Sequence, residues 1–205
     1  TFHMYPKGYQ GSKNTVADRE RNTYPGSANN FWGGFRQESE PWLNSEFGGV
    51  AAFDGDYDVS WCFKYQTDIQ RQYEKLNGYV YTEPYDIEYE RNGVLTYDRR
   101  DKIFGYEDVA YGGDMSIIDL NQPNYVGVDI DPALKAAPGS QYTAPVVAMN
   151  WSGETLENPV LKWRFDATDI YGNYITTGKS GEVPMDFAPY TREQHDISFS
   201  LPSQK

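Results

Sequence analysis

Residues 41–49 read PWLNSEFGG, a short apolar run that closes on one glutamate, an aromatic and two glycines. A carboxylate at such a place either costs free energy or has its proton affinity raised, because low-dielectric surroundings disfavour charge. The run is short enough for a buried strand, and Gly48-Gly49 would end it. The residues that follow decide what kind of strand it is. In SWCFKYQTDIQRQYEKL (60–76), Trp61, Tyr65, Ile69, Tyr73 and Leu76 fall at four- and three-residue steps, one apolar stripe of a helix. Asp58 or Ser60 is placed to cap its start, and Asn77-Gly78 to end it. Tyr79–Thr82 then reads as a strand stopped by Pro84. Strand, helix, strand is a βαβ unit, which implies a parallel sheet.

Upstream, FHMYP at residues 2–6 is an apolar-aromatic burst, and no secretory leader is visible. Residues 6–40 are polar, punctuated by Pro25-Gly26 and Gly33-Gly34, and read as a long loop or irregular insert. Beyond about residue 110 the pattern changes to β-type runs at Tyr125–Ile130, Ala144–Trp151, Leu161–Ala167 and Ile197–Leu201. Leu161, Trp163 and Phe165 alternate with Lys162, Arg164 and Asp166, the mark of a strand with one buried face. The expected fold class is therefore α/β plus all-β, with an antiparallel β-sandwich as the second part. A parallel sheet of two or three strands leaves open edges, so the first part reads as a piece of a larger α/β barrel.

Composition narrows the function. The net charge of −12 argues against nucleic acid or an anionic membrane as partner. A single cysteine, Cys62, and two histidines, His3 and His195, leave little for a disulfide framework or a metal site. Cys62 reads as a small buried hydrophobe. Eighteen Tyr, ten Phe and five Trp suit either stacking on sugar faces or plain aromatic strand packing. Asp54-Gly55-Asp56-Tyr57-Asp58 resembles the start of a calcium loop, but Val59 and Tyr65 stand where its glycine and glutamate belong. Asn150-Trp151-Ser152 is a formal glycosylation tripeptide that reads better as a strand. No cofactor is implied.

In parallel α/β folds, catalytic groups sit at the carboxyl ends of strands, and Glu46 and Glu83 both end one. Two carboxylates at strand tips are the equipment of glycoside hydrolysis, about 5–5.5 Å apart in retaining enzymes. The alternative is that Glu46 caps a neighbouring helix or pairs with an arginine.

PWLNSEFGG resembles the nucleophile strand of glycoside hydrolase family 2, the β-galactosidase, β-glucuronidase and β-mannosidase family, and YQTDIQRQYEKLNGYVYTEPYDIEYERNGVLTYDRRDK is similar to the helix, eighth barrel strand and loop that follow. FHMYP looks like the end of the sixth strand. The likeness covers about residues 1–105, with several motifs in the family's order. It implies the carboxyl-side portion of a (β/α)8 TIM barrel over 1–108 and an immunoglobulin-like antiparallel β-sandwich over 109–205. It implies Glu46 as the nucleophile of a retaining exo-β-glycosidase, with a β-galactoside favoured as the carbohydrate. His3 and Tyr5 match pocket positions of the sixth strand, and Tyr81, Thr82 and Glu83 those of the eighth. Relatives often carry glutamine at the position of Glu83. The family's acid/base glutamate has no counterpart here, so this chain alone is expected to be inactive unless a missing amino-terminal part or another chain supplies it. The competing reading is a carbohydrate-binding or structural sandwich with an inherited barrel remnant. An α/β lipase or protease fits poorly, for want of a G-x-S-x-G motif. Periplasmic or secreted and cytoplasmic locations are both compatible, the former slightly favoured.

Overall fold

The computed structural model describes residues 1–5, 8–48, 60–102, 119–131 and 134–203, with the side chains of Ser60 and Trp61 left aside. The chain divides into two compact units, Thr1–Asn121 and Gln122–Lys205. The expected boundary at 108/109, the acidic loop at 54–58 and Gly49 lie outside the described residues.

The first unit runs β1 (Phe2–Met4), α1 (Tyr9–Asn22), β2 (Trp42–Phe47), α2 (Ser60–Arg71), β3 (Leu76–Tyr81) and a 3-10 turn at Asp119–Asn121. Its three strands form one parallel sheet in the order β1-β2-β3. The expected irregular insert is corrected here, because residues 9–22 are helical. This helix buries only Ser12 and Val16, one turn apart, and so shows no apolar stripe to read. Arg19 and Arg21 in its last turn suit the negative end of the helix dipole. Loop 23–41, which does lack regular structure, is held by Gln37 and Gly26 backbone bonds across its neck.

Helix α2 ends at Arg71 rather than at the expected Asn77-Gly78 stop. Those two residues belong to β3, where the Asn77 side chain accepts a bond from Trp42 N at 3.2 Å. Tyr65 packs edge-on against Tyr9 of α1, 5.0 Å between centroids. The core gathers Phe2, Met4, Val16, Trp42, Phe47, Phe63, Ile69, Leu76 and Leu120, with Phe2 stacked on Trp42. Cys62 is buried, as expected, within reach of the Tyr9 hydroxyl.

The second unit is antiparallel. β4 (Asn124–Val128), β5 (Gln141–Asn150) and β8 (Thr191–Ser200) form one sheet with β5 central, and β6 (Val160–Thr168) pairs with β7 (Tyr174–Pro184). Val146, Leu161 and Ile197, from both sheets, make a common core with Trp163, Val183, Met185 and Phe199 around it. β7 escaped sequence reading because Gly178 and Gly181 interrupt it and few of its side chains are apolar. His195 lies within β8, its Nε2 2.9 Å from Glu193 Oε2. Asn150 is fully buried at the end of β5, where its side-chain amide donates to Glu154 O and Ala188 O and its oxygen accepts from Ser152. A sealed amide of this kind is no glycan acceptor.

Candidate functional site

Glu46 sits at the carboxyl end of the middle parallel strand. Its orientation comes from an irregularity in β2. Against β1, Phe2 faces Asn44 and the next residue, His3, faces Glu46. Against β3, Asn44 faces Tyr79 while Phe47 faces Tyr81. Both neighbours therefore find one extra residue in β2 after Asn44, a bulge that resets the alternation of faces. Asn44 and Phe47 both turn to the helix side: Asn44 Nδ2 donates to Gln70 Oε1 of α2 at 2.7 Å, and Phe47 stacks on Phe63. Glu46, between them, points the other way and stays part-exposed. Asn44 Oδ1 accepts from Glu46 N at 3.3 Å and so braces the bulge.

Beside Glu46 lie two residues of the first strand and its end. His3 Nδ1 is 3.5 Å from Glu46 Oε2. The Tyr5 hydroxyl is buried and has no hydrogen-bond partner among the described residues, and Thr82 and Glu46 are the side chains nearest to it in electrostatic effect. Burial pushes the Tyr5 phenol well above its usual range; the Thr82 side chain works against this, and Glu46 adds to it. The phenol is a neutral hydrogen-bond donor beside a carboxylate.

The tip of β3 completes the cluster. Thr82 N donates to Phe47 O at 2.7 Å, and the Thr82–Glu83 peptide is cis. Tyr81 belongs to the helix side instead, its ring edge-on to Phe47 and Phe63 and its hydroxyl on Asn92 O. Glu83 Oε1 is shielded with no hydrogen-bond partner among the described residues, although the residue is only half-buried. Desolvation raises its carboxyl, Glu90 and Asp86 add to that, and the Ile87 amide and Lys102 oppose it. Those residues, rather than Glu46, are its electrostatic neighbours. Thus Glu46, His3, Tyr5 and Thr82 come together, while Glu83 and Tyr81 face separate surroundings.

Three residues that sequence reading passed over shape the site. Asn44 and Gln70 are described above. Asn92, fully buried, donates from Nδ2 to Thr82 O at 3.1 Å. All three are polar residues at core positions, a signal visible only once burial is known. The loop carrying Asn92 is pinned by Asp86, whose carboxylate accepts from Gly93 N at 2.9 Å and from the buried Lys102 ammonium at 2.7 Å.

Among the described residues no group of three or more His, Cys, Asp or Glu is placed to hold a metal ion, and no helix is long and apolar enough to cross a membrane. Comparison with protein-family models, with curated proteins and with solved structures finds no match to this chain.

Proposed function

We propose that this chain is part of a retaining exo-β-glycosidase resembling glycoside hydrolase family 2, acting on terminal β-linked sugars, β-galactosides foremost. On this reading residues 1–108 belong to a (β/α)8 barrel, and 109–205 to an immunoglobulin-like sandwich. The observation that carries it is the bulge that turns Glu46 out between His3 and Tyr5 at the carboxyl end of a central parallel strand.

Glu46 attacks the anomeric carbon, and a carboxylate oxygen–C1 bond forms as the C1–O bond to the leaving group breaks. The leaving oxygen takes a proton from a general acid that none of the assigned residues provides. Water then attacks C1, giving up a proton to the same group, and Glu46 leaves as a carboxylate with configuration retained. The protonated Tyr5 phenol lies close enough to Glu46 to favour its departure as a carboxylate in the second step. On this reading His3 and Thr82 orient sugar hydroxyls, with Glu83 farther along the loop.

The test is Glu46→Gln in the full-length protein that carries this chain. It is expected to lower turnover by about a thousandfold or more without loss of fold. A 2-fluoro glycoside should label Glu46 in the wild type. Turnover surviving the substitution, or label on another carboxylate, overturns the nucleophile assignment and leaves sugar binding by the sandwich as the alternative.

A further inference from the structure

Asn92 occupies a position at which the ends of all three parallel strands meet. Its Nδ2 holds Thr82 O, just past β3, and its backbone oxygen takes the Tyr81 hydroxyl at 2.5 Å. Its carboxamide also lies directly on Gly48, just past β2. A Cβ at Gly48 would fall 2.3 Å from Asn92 Nδ2 and 2.7 Å from its Cγ. The same point is 2.9 Å from Cε1 of Tyr5, just past β1. The amide and the phenol ring therefore converge on one bare backbone position, two residues beyond Glu46. Asn92 is itself immobilised. Gly93 allows no side chain, since a Cβ there would meet Asp86 N at 2.2 Å, and Asp86 is tied to Gly93 N and Lys102.

We propose that Asn92 is a positioning residue for the Glu46–Tyr5 pair: its carboxamide, seated on Gly48 and bonded to Thr82, holds the Tyr5 ring in register with the tip of β2. This rests on the reading of Glu46 as the reacting carboxylate. Being fully buried, Asn92 touches no substrate, and it acts through Tyr5. Close packing makes this effective, because a side chain wedged between fixed backbones has no second place to go.

The experiment is a cycle of Asn92→Ala and Tyr5→Phe in the full-length protein, read as kcat and KM on an aryl β-galactoside. Rates are normalised to the sites that a 2-fluoro glycoside labels. Asn92→Ala is expected to lower kcat tenfold or more with KM changed less than about twofold, the split of a residue that acts on the transition state alone. In the Tyr5→Phe background the same substitution should cost less than about threefold, because its route is already cut. Additive losses, or an unchanged kcat per labelled site, overturn the proposal. Should Asn92→Ala not fold, Asn92→Leu keeps the branched shape, removes the donor to Thr82 O without burying a charge, and is judged by the same criteria. A second readout needs no turnover. In protein labelled with 3-fluorotyrosine, the fluorine resonance lost on Tyr5→Phe should titrate at lower pH in Asn92→Ala than in wild type, as the phenol gains solvent. An unmoved resonance overturns the positioning role even where Glu46 is never labelled, which would instead sink the glycosidase reading.

Discussion

Asn44 shows how a side chain buried on one face of a strand aims its neighbour on the other. Its amide is fixed by Gln70, and its oxygen is thereby presented to Glu46 N. Asn44→Leu would strand the buried Gln70 oxygen and free the bulge, so a stability loss of about 1–3 kcal/mol is expected in denaturant melts, with slower labelling of Glu46. At Glu83 the expectation concerns pH. Its carboxyl is raised by desolvation and by Glu90 and Asp86, so the neutral form is the one the fold accommodates. That contribution is complete below the ordinary carboxylate value of about 4.3 and is lost as pH rises through the higher folded value. Glu83→Gln, which mimics the neutral form, is therefore expected to raise the melting temperature near pH 7 and to change it little near pH 4. A lower melting temperature near pH 7 would contradict this. Neither effect was legible in the sequence, where Asn44 is an ordinary polar residue in a strand and Glu83, although singled out as a strand-end carboxylate, shows nothing of the Glu90 and Asp86 that surround it.

Elements of the first unit were readable where they bury an apolar face and hidden where they do not. The α2 stripe through Tyr65 and Ile69 announced a helix, whereas α1, resting on Ser12 and Val16, did not. The bulge in β2 is likewise invisible along the chain, because an extra residue shows only against the register of its neighbours. The loop between β3 and residue 102 depends on one buried ion pair, Lys102–Asp86, with the lysine side chain 3% exposed. Lys102→Met would leave Asp86 uncompensated except for Gly93 N, and a loss of about 3–5 kcal/mol is expected from thermal or chemical melts. Gly48→Ala should be poorly tolerated for a steric reason. Its methyl would fall on the Asn92 amide and the Tyr5 ring, so a drop in melting temperature and in Glu46 labelling is expected, and full wild-type behaviour would show that those side chains yield.

For the molecule as a whole, pairing is unevenly distributed. β5 is bonded on both sides, to β8 along its whole length and to β4, and Val146–Met149 are buried. β1 is a three-residue strand paired, among the described residues, to β2 alone. Hydrogen exchange of the 205-residue chain is expected to be slowest at Val146–Met149 and fastest among strands at Phe2–Met4; the reverse order would contradict this ranking. Local pattern was sufficient to locate β2, α2, β3 and four of the antiparallel strands, since alternation, helical spacing and turn residues follow from the backbone periods of two and 3.6. It also placed Glu46 at a strand end. It could not say which way that carboxylate faces, that Tyr5 and His3 stand beside it while Tyr81 turns away, or that Asn92 packs over Gly48. Those facts depend on strand register and on contacts between residues distant along the chain, and such contacts exist only once the sheet has formed.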